Sequence, residues 1–358
     1  MSLAALTRNY DRRIRVMIVD DSPVVRGLTR RWLSAETGIE LARVCADGEQ
    51  AVREISCCRP DVVLLDIDMP RLDGLATLPL LRQAAPDARI IIASRLIGPG
   101  ATAAVRALQL GAADCFAKPP ATEFGAADDY RRDLIAKIFA LGSAQRTPTQ
   151  AQAPLSLRSP PLTRAKPSAL VVAASTGGPQ ALQSFLAPIA RRISAPILIV
   201  QHMPERLIPI FAERLTAALG KPCRLPEDGE DLISGSVFIA PGDRCMRISR
   251  CGGGMIVRLD REDLASRCGR AADLLFESAA AACGSRLLGV VLTGMGEDSK
   301  NGCARIVASG GRVAVQDEAS SVVWGMAGSV AQAGYAEAVR PLAELSSLTL
   351  NLMNGDAA

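Results

Sequence analysis

At 358 residues, 49% of them hydrophobic and only 3% aromatic, the chain has room for two domains with cores of Ala, Val, Leu and Ile, the composition of buried parallel strands. A net charge of +4 falls short of the dense basic face of a dedicated nucleic-acid binder. Ten scattered cysteines without a C-x-x-C pair, and a single histidine, His202, signal neither a zinc site nor a redox dithiol. The N-terminal stretch carries Arg8, Arg12, Arg13 and Arg15 but no apolar run long enough for export or membrane crossing, so a cytoplasmic protein with reduced, mostly buried thiols is expected.

From Arg15 short apolar runs alternate with helical patterns, the signature of a doubly wound parallel sheet. Strands are predicted at Arg15 to Val19, Glu40 to Cys45, Val62 to Asp66, Arg89 to Ala93 and Asp114 to Ala117. Helices are predicted at Pro23 to Glu36, Glu49 to Cys58, Leu75 to Ala85, Ala101 to Leu110 and Tyr130 to Leu141. Pro79 should kink or shorten the third of them.

Ligands of such sheets gather at the carboxyl ends of the strands. Those ends carry Asp20 and Asp21, then Asp66, Ser94 and Lys118. Three converging carboxylates repel one another and imply a cation, magnesium or manganese for hard oxygen ligands, and a lysine and a hydroxyl beside them suit a phosphoryl group. Any one of the five reads equally as a solvated loop residue; their placement at corresponding strand ends is what argues for a site.

Val19-Asp20-Asp21-Ser22-Pro23, Asp61 to Pro70 with Asp73-Gly74, and Lys118-Pro119 resemble the receiver domain of two-component response regulators, a flavodoxin-like fold, over residues 15 to 140. The resemblance implies that Asp66 accepts phosphate from a histidine kinase, that Asp20, Asp21 and Asp66 hold Mg2+, that Lys118 contacts the phosphoryl group and that Ser94 is a switch hydroxyl. Three positions before the lysine, where the family carries an aromatic switch residue, stands Cys115, with Phe116 displaced by one.

Residues 142–167 hold five prolines and no acidic residue, and read as an extended, partly flexible linker between a receiver domain (1–141) and a second domain (168–358). Its basic residues Arg146, Arg158, Arg164 and Lys166 read as solvated charge rather than contacts to an acidic partner.

The second domain opens on Ala169 to Ala174, a buried strand that ends in Ser175-Thr176-Gly177-Gly178-Pro179, with a helix from Gln180 to Leu186. Such a turn delivers either a nucleophile or a phosphate-binding loop. Further strands are predicted at Ala195 to Val200, ending in Gln201-His202-Met203-Pro204, at Arg286 to Leu292, ending in Thr293-Gly294-Met295-Gly296-Glu297-Asp298, and at Gly311 to Val315. Between them lie a turn-rich β segment, Ser236 to Arg258, and a helix, Ala271 to Ala282.

Right-handed crossovers turn the carboxyl ends of parallel strands to one edge, so Ser175, His202 and Asp298 should share it. A serine hydroxyl is a poor nucleophile until a base takes its proton, which an imidazole does well when a carboxylate fixes its tautomer. Amides in the Gly294-Met295-Gly296 loop and near Thr176 are candidate oxyanion donors. Asp273, Asp243 and Asp317 also lie near turns and remain open as the carboxylate, and Cys245 reads as a buried small hydrophobe rather than a nucleophile.

Ala174 to Pro179, His202-Met203-Pro204 with Phe211 to Leu215, Ala240-Pro241-Gly242, Val291 to Gly296, and Gln316-Asp317-Glu318 with Val322 to Met326 resemble the catalytic domain of the chemotaxis protein-glutamate methylesterase, over residues 168–350. The resemblance implies a Rossmann-like α/β esterase that hydrolyses γ-glutamyl methyl esters on chemoreceptors, and often deamidates receptor glutamines. Its nucleophile would be Ser175, its general base His202 and its orienting carboxylate Asp298, with no cofactor for the ester chemistry. Ala173 stands where the family has glycine, Cys245 where histidine is common, Ser299-Lys300 where glycine and a small residue follow the aspartate, and Ala327 where proline is frequent.

The expected protein is a phosphorylation-controlled esterase, a monomer without nucleic-acid or membrane-inserted contacts, whose partners are chemoreceptors and a histidine kinase. The rival is a receiver with a non-catalytic adaptor or nucleic-acid-binding output domain. The pairs Arg30-Arg31, Arg131-Arg132 and Arg191-Arg192 offer phosphate contacts for it, but no helix-turn-helix pattern accompanies them.

Overall fold

The computed structural model describes residues 12–94, 98–119, 128–144, 157–158, 165–260 and 269–355. Arg8, Arg146, Arg164, Cys268 and four of the linker prolines (148, 154, 160, 161) lie outside the described residues. The chain divides into two compact units, Met1–Thr149 and Gln150–Ala358.

The first unit alternates β1 (Ile14–Val19), α1 (Pro23–Ser34), β2 (Ile39–Cys45), α2 (Gly48–Cys58), β3 (Val62–Asp66), α3 (Gly74–Ala84), β4 (Arg89–Ser94), α4 (Pro99–Gln109), β5 (Asp114–Ala117) and α5 (Asp128–Ala144). All pairings are parallel, in the order β2-β1-β3-β4-β5. Ser22, Asp47 and Asp73 start three of the helices by accepting from the amides of Val25, Gln50 and Ala76. The third helix is not shortened by Pro79: it runs on to Ala84, because the Asp73 cap and the fully buried Leu78 and Leu81 hold it on the sheet.

The second unit is built on β6 (Ala169–Ala174), α6 (Gly178–Leu186), β7 (Ile197–Gln201), α7 (Ile208–Leu219), β8 (Cys223–Arg224), β9 (Val237–Ile239), β10 (Cys245–Cys251), β11 (Gly254–Asp260), α8 (Ala271–Cys283), β12 (Leu287–Val291), α9 (Lys300–Ala308), β13 (Arg312–Gln316), α10 (Met326–Gln332), β14 (Ala338–Arg340) and α11 (Leu342–Asn354). Seven parallel strands run in the order β14-β13-β12-β6-β7-β9-β8, and β10 and β11 form a separate antiparallel hairpin. Every residue of β6, β7 and β12 is buried, as strands covered on both faces must be, and each fully buried Val, Leu or Ile contributes about 1.5–3 kcal/mol. This places β6 at the centre of the sheet with β12 and β7 on either side.

In the stretch read as linker, Arg158 is tied down: its amide donates to the Ala336 carbonyl at 3.0 Å and its guanidinium to the Gly311 carbonyl at 3.1 Å, within the second unit. Solvated charge therefore does not describe Arg158. Nearby, Arg312 and Glu337 form a buried ion pair at 2.8 Å, and burial pushes the Glu337 carboxyl up.

The nine described cysteines are free. Burial pushes the Cys45, Cys115 and Cys223 thiols up to about 12, whereas Cys57 and Cys251 are exposed. Because the thiolate is the reactive species, brief treatment of the native protein with iodoacetamide at neutral pH should alkylate Cys57 and Cys251 and spare the other three. Peptide mass mapping checks this, and rapid alkylation of Cys45, Cys115 or Cys223 would contradict the burial argument.

Candidate active site

The strand register sets the geometry in the second unit. Ala174 pairs with Gln201 and Ala173 with Val291, so Ser175 and His202 each stand one residue beyond neighbouring strands, and Thr293 follows on the other side. The His202 amide donates to the Ala174 carbonyl at 3.0 Å and the Ser175 amide to the Thr293 carbonyl at 3.0 Å. Gln201, whose role the sequence reading missed, clamps the two ends together: its side-chain amide donates to the Ser175 and His202 carbonyls, each at 2.9 Å.

After Ser175 the chain turns through Gly177 at φ 77°, where a Cβ would also collide with Val322 at 2.6 Å, and enters α6 at Gly178, two residues before the expected start at Gln180. Only glycine fits both the left-handed backbone and the contact. Thr293 ties this turn to the loop from Asp317 to Gly325. Its hydroxyl has the Thr176 and Val323 carbonyls as acceptors for its one proton, at 3.0 and 3.1 Å, and accepts from the Val322 and Val323 amides. Fully buried Gln316 accepts from the Thr293 amide at 2.8 Å.

His202 Nε2 lies 2.7 Å from Asp298 Oδ2, with the imidazole a quarter exposed and the carboxylate buried. Oδ2 also accepts from the Ala272 amide, and Oδ1 from the Asp273 and Ser299 amides, each at 2.9 Å. The other carboxylates weighed from the sequence are engaged elsewhere: Asp273 with Asn301 and Gly302, Asp243 with Arg244, and Asp317 with Ser320. Among the described residues no hydrogen bond joins the Ser175 hydroxyl to His202. The Met295 amide donates to no backbone acceptor among them, and it follows Gly294, where a Cβ would stand 2.9 Å from that of Ser175.

The departures from the family pattern are accommodated. Ser299 adopts φ 90°, a left-handed conformation that glycine takes without strain. Lys300 pairs with Glu297 at 3.4 Å. Ala173, Ala327 and Cys245 are buried.

In the first unit Asp20 and Asp66 are buried at the carboxyl ends of β1 and β3, and Asp21 is exposed beside them; carboxylate oxygens of the three lie within 4.8 Å of one another. Lys118 Nζ reaches Asp20 Oδ2 at 2.6 Å and Asp66 Oδ2 at 2.8 Å. Burial pushes the Asp20 carboxyl up, against the pull of Lys118. Ser94, the last residue of β4, is fully buried and its Oγ has no partner. An all-oxygen cluster fits Mg2+, and an orphaned hydroxyl beside Asp66 and Lys118 fits a phosphoryl oxygen. Cys115 is buried, while Phe116 packs edge-on against Tyr130 with 5.7 Å between centroids. Tyr130, expected only as the start of a helix, lines the cavity that Asp20, Asp66 and Lys118 share.

The fold and the two sites define a class: a receiver-type parallel α/β unit on one chain with a second parallel α/β unit that carries a serine and a histidine at adjoining strand ends and an aspartate bonded to the histidine. Residues 16–124 match the response regulator receiver domain family, and residues 170–348 match the CheB methylesterase family. A protein-glutamate methylesterase/protein-glutamine glutaminase 2 of Caulobacter vibrioides is 47% identical over 336 residues, 93% of this chain and 96% of that protein. A protein-glutamate methylesterase/protein-glutamine glutaminase of Nitrobacter hamburgensis is 42% identical, covering 99% and 98% of the two chains. The crystal structure of the Thermotoga maritima CheB methylesterase catalytic domain aligns with a TM-score of 0.50 at 32% identity, over 52% of this chain and all of that one. The chain belongs to the protein-glutamate methylesterase/protein-glutamine glutaminase family, as a methylesterase with a receiver domain.

Gly294 packs closely behind Ser175. A methyl group there would meet Met326 Sδ at 2.4 Å and the Ser175 Cβ at 2.9 Å. Gly294→Ala should therefore displace Ser175 and lower kcat about 100-fold, at a stability cost of about 1–3 kcal/mol. Ester-hydrolysis kinetics and thermal melting check both; an alanine variant with wild-type kcat would show that the contact does not bear on the serine.

Proposed function

We propose that residues 168–358 hydrolyse γ-glutamyl methyl esters on chemoreceptors with Ser175 as nucleophile, His202 as general base and acid and Asp298 as orienting carboxylate. Residues 1–141, through Asp66, control that activity across the linker of residues 142–167. The observation that carries the reading is the 2.7 Å contact of His202 Nε2 with Asp298 Oδ2 next to the strand end that bears Ser175. With Nε2 occupied, Nδ1 is the nitrogen left for the serine.

Ser175 Oγ attacks the ester carbonyl and its proton passes to His202 Nδ1, while the carbonyl electrons move to an oxyanion held by the Met295 amide and one near Thr176. The imidazolium that forms is steadied by Asp298 and returns the proton to the methoxy group, so methanol leaves and an acyl-Ser175 remains. Water then attacks the acyl carbon, gives its proton to His202, and releases the glutamate carboxylate and free Ser175. A glutamine side chain follows the same course with ammonia as the leaving group.

In the receiver unit, Asp20, Asp21 and Asp66 would hold Mg2+, which supplies charge neutralisation as Asp66 accepts phosphate from a histidine kinase. Lys118, now bonded to two carboxylates, turns to the phosphoryl oxygens, and Ser94 offers its unpaired hydroxyl. No described helix is long and apolar enough to cross a membrane. Methanol release from methyl-labelled receptor membranes mixed with the purified chain tests the reading. Release is expected; its absence, with phosphodonor present, would leave the non-catalytic adaptor.

A further inference from the structure

We propose that Asp273 is a positioning residue for this reaction, acting through Asp298; the inference rests on the assignment of Ser175, His202 and Asp298 above. Helices α8 and α9 are clasped at their N-termini: a carboxylate just before α9 bonds the first turn of α8, and one in that turn bonds the first turn of α9. Asp298, two residues before α9, accepts from the Ala272 and Asp273 amides in the first turn of α8, each at 2.9 Å. Asp273 answers from that turn: Oδ1 accepts from the Gly302 amide at 2.7 Å and Oδ2 from the Asn301 side-chain amide at 3.0 Å, both in the first turn of α9. Arg270 Nε stands 3.7 Å from the same carboxylate. A helix start leaves amides without intrahelical partners and favours negative charge, so each carboxylate is fixed where it lies.

The clasp is tight and dry. A Cβ on Gly302 would meet the Phe276 Cβ at 2.5 Å, and Asp273 is 2% exposed. Asp298 makes four hydrogen bonds, three to backbone amides and one to His202, which fills its acceptor sites. The direction of Oδ2 towards Nε2 is thus set by how α8 and α9 sit together. Asp273 is the half of the clasp that never touches the imidazole. It also holds the start of α9 against the strained Ser299 turn that joins that helix to Asp298.

Because His202 is the only histidine, nitrogen-15 NMR of the histidine-labelled full chain reads this imidazole without assignment. Wild type should show neutral imidazole protonated on Nε2. Asp273→Ala should shift both ring nitrogens towards a tautomer mixture and lower kcat roughly 10- to 100-fold with KM little changed. Asp273→Asn, whose amide oxygen still accepts from Gly302, should recover most of both. If Asp273→Ala lowers the melting temperature yet leaves nitrogen shifts and kcat at wild-type values, the proposal is overturned. If that variant does not fold, Asn301→Ala, which removes only the Oδ2 contact, decides: moved nitrogen signals support the proposal and unmoved ones overturn it. Asp298→Asn separates the two levels, since unchanged nitrogen signals and kcat in that variant would defeat the triad assignment itself.

Discussion

Ser175→Ala is expected to lower methanol release from methylated receptor membranes about 10^5- to 10^6-fold, leaving only the background that binding and oxyanion donors sustain. The side chain is at the surface of the strand end, half-buried, and its loss leaves no polar group unpaired, because the bonds that shape the turn are made by the Ser175 backbone to Thr293, Gly178 and Gln201. Folding should therefore be unaffected, and circular dichroism and melting should superpose on wild type. A variant that retains more than about a hundredth of the activity would require another nucleophile.

Asp298→Asn is expected to cost about 10^4-fold in kcat through the imidazole tautomer. Oδ1 accepts from the Asp273 and Ser299 amides and Oδ2 from Ala272 and His202. An asparagine keeps its oxygen on the first pair, where it still joins α8 to the turn before α9. Its NH2 then faces Nε2, which must accept, so the ring proton moves to Nδ1 and the nitrogen opposite Ser175 is no longer a base. The Ala272 amide also loses its acceptor, which costs about 1–3 kcal/mol of stability. A kcat within tenfold of wild type would mean that Asp298 caps a helix and does nothing for His202.

Much of this was legible because strand ends announce themselves. Val62 to Asp66 and Asp114 to Ala117 are found where the apolar runs end, and the same argument places Ser175, His202 and Thr293 at adjoining positions. The strand order with β6 in the middle was not legible, since crossover handedness fixes the edge and not the sequence of neighbours. Nor was α7: its Pro209 and a continuously apolar start hide the helical period, although Phe211 and Leu215 pack beneath it. The helices α9 and α10 escape as well. The partners of Asp298 escape for another reason, because Ala272 and Asp273 lie some 25 residues away and only tertiary packing brings their amides to it. Gln201 and Tyr130 belong to the same kind, ordinary in sequence and decisive only once neighbouring elements are in place.

Asp66 and Ser175 lie in separate units, and phosphorylation is the proposed link between them. The most direct measurement follows methanol release by the full chain in Mg2+, with and without a small-molecule phosphodonor, for wild type and Asp66→Ala. The donor should raise the wild-type rate and leave Asp66→Ala flat, with both rates abolished by Ser175→Ala; equal stimulation of wild type and Asp66→Ala would contradict control through Asp66.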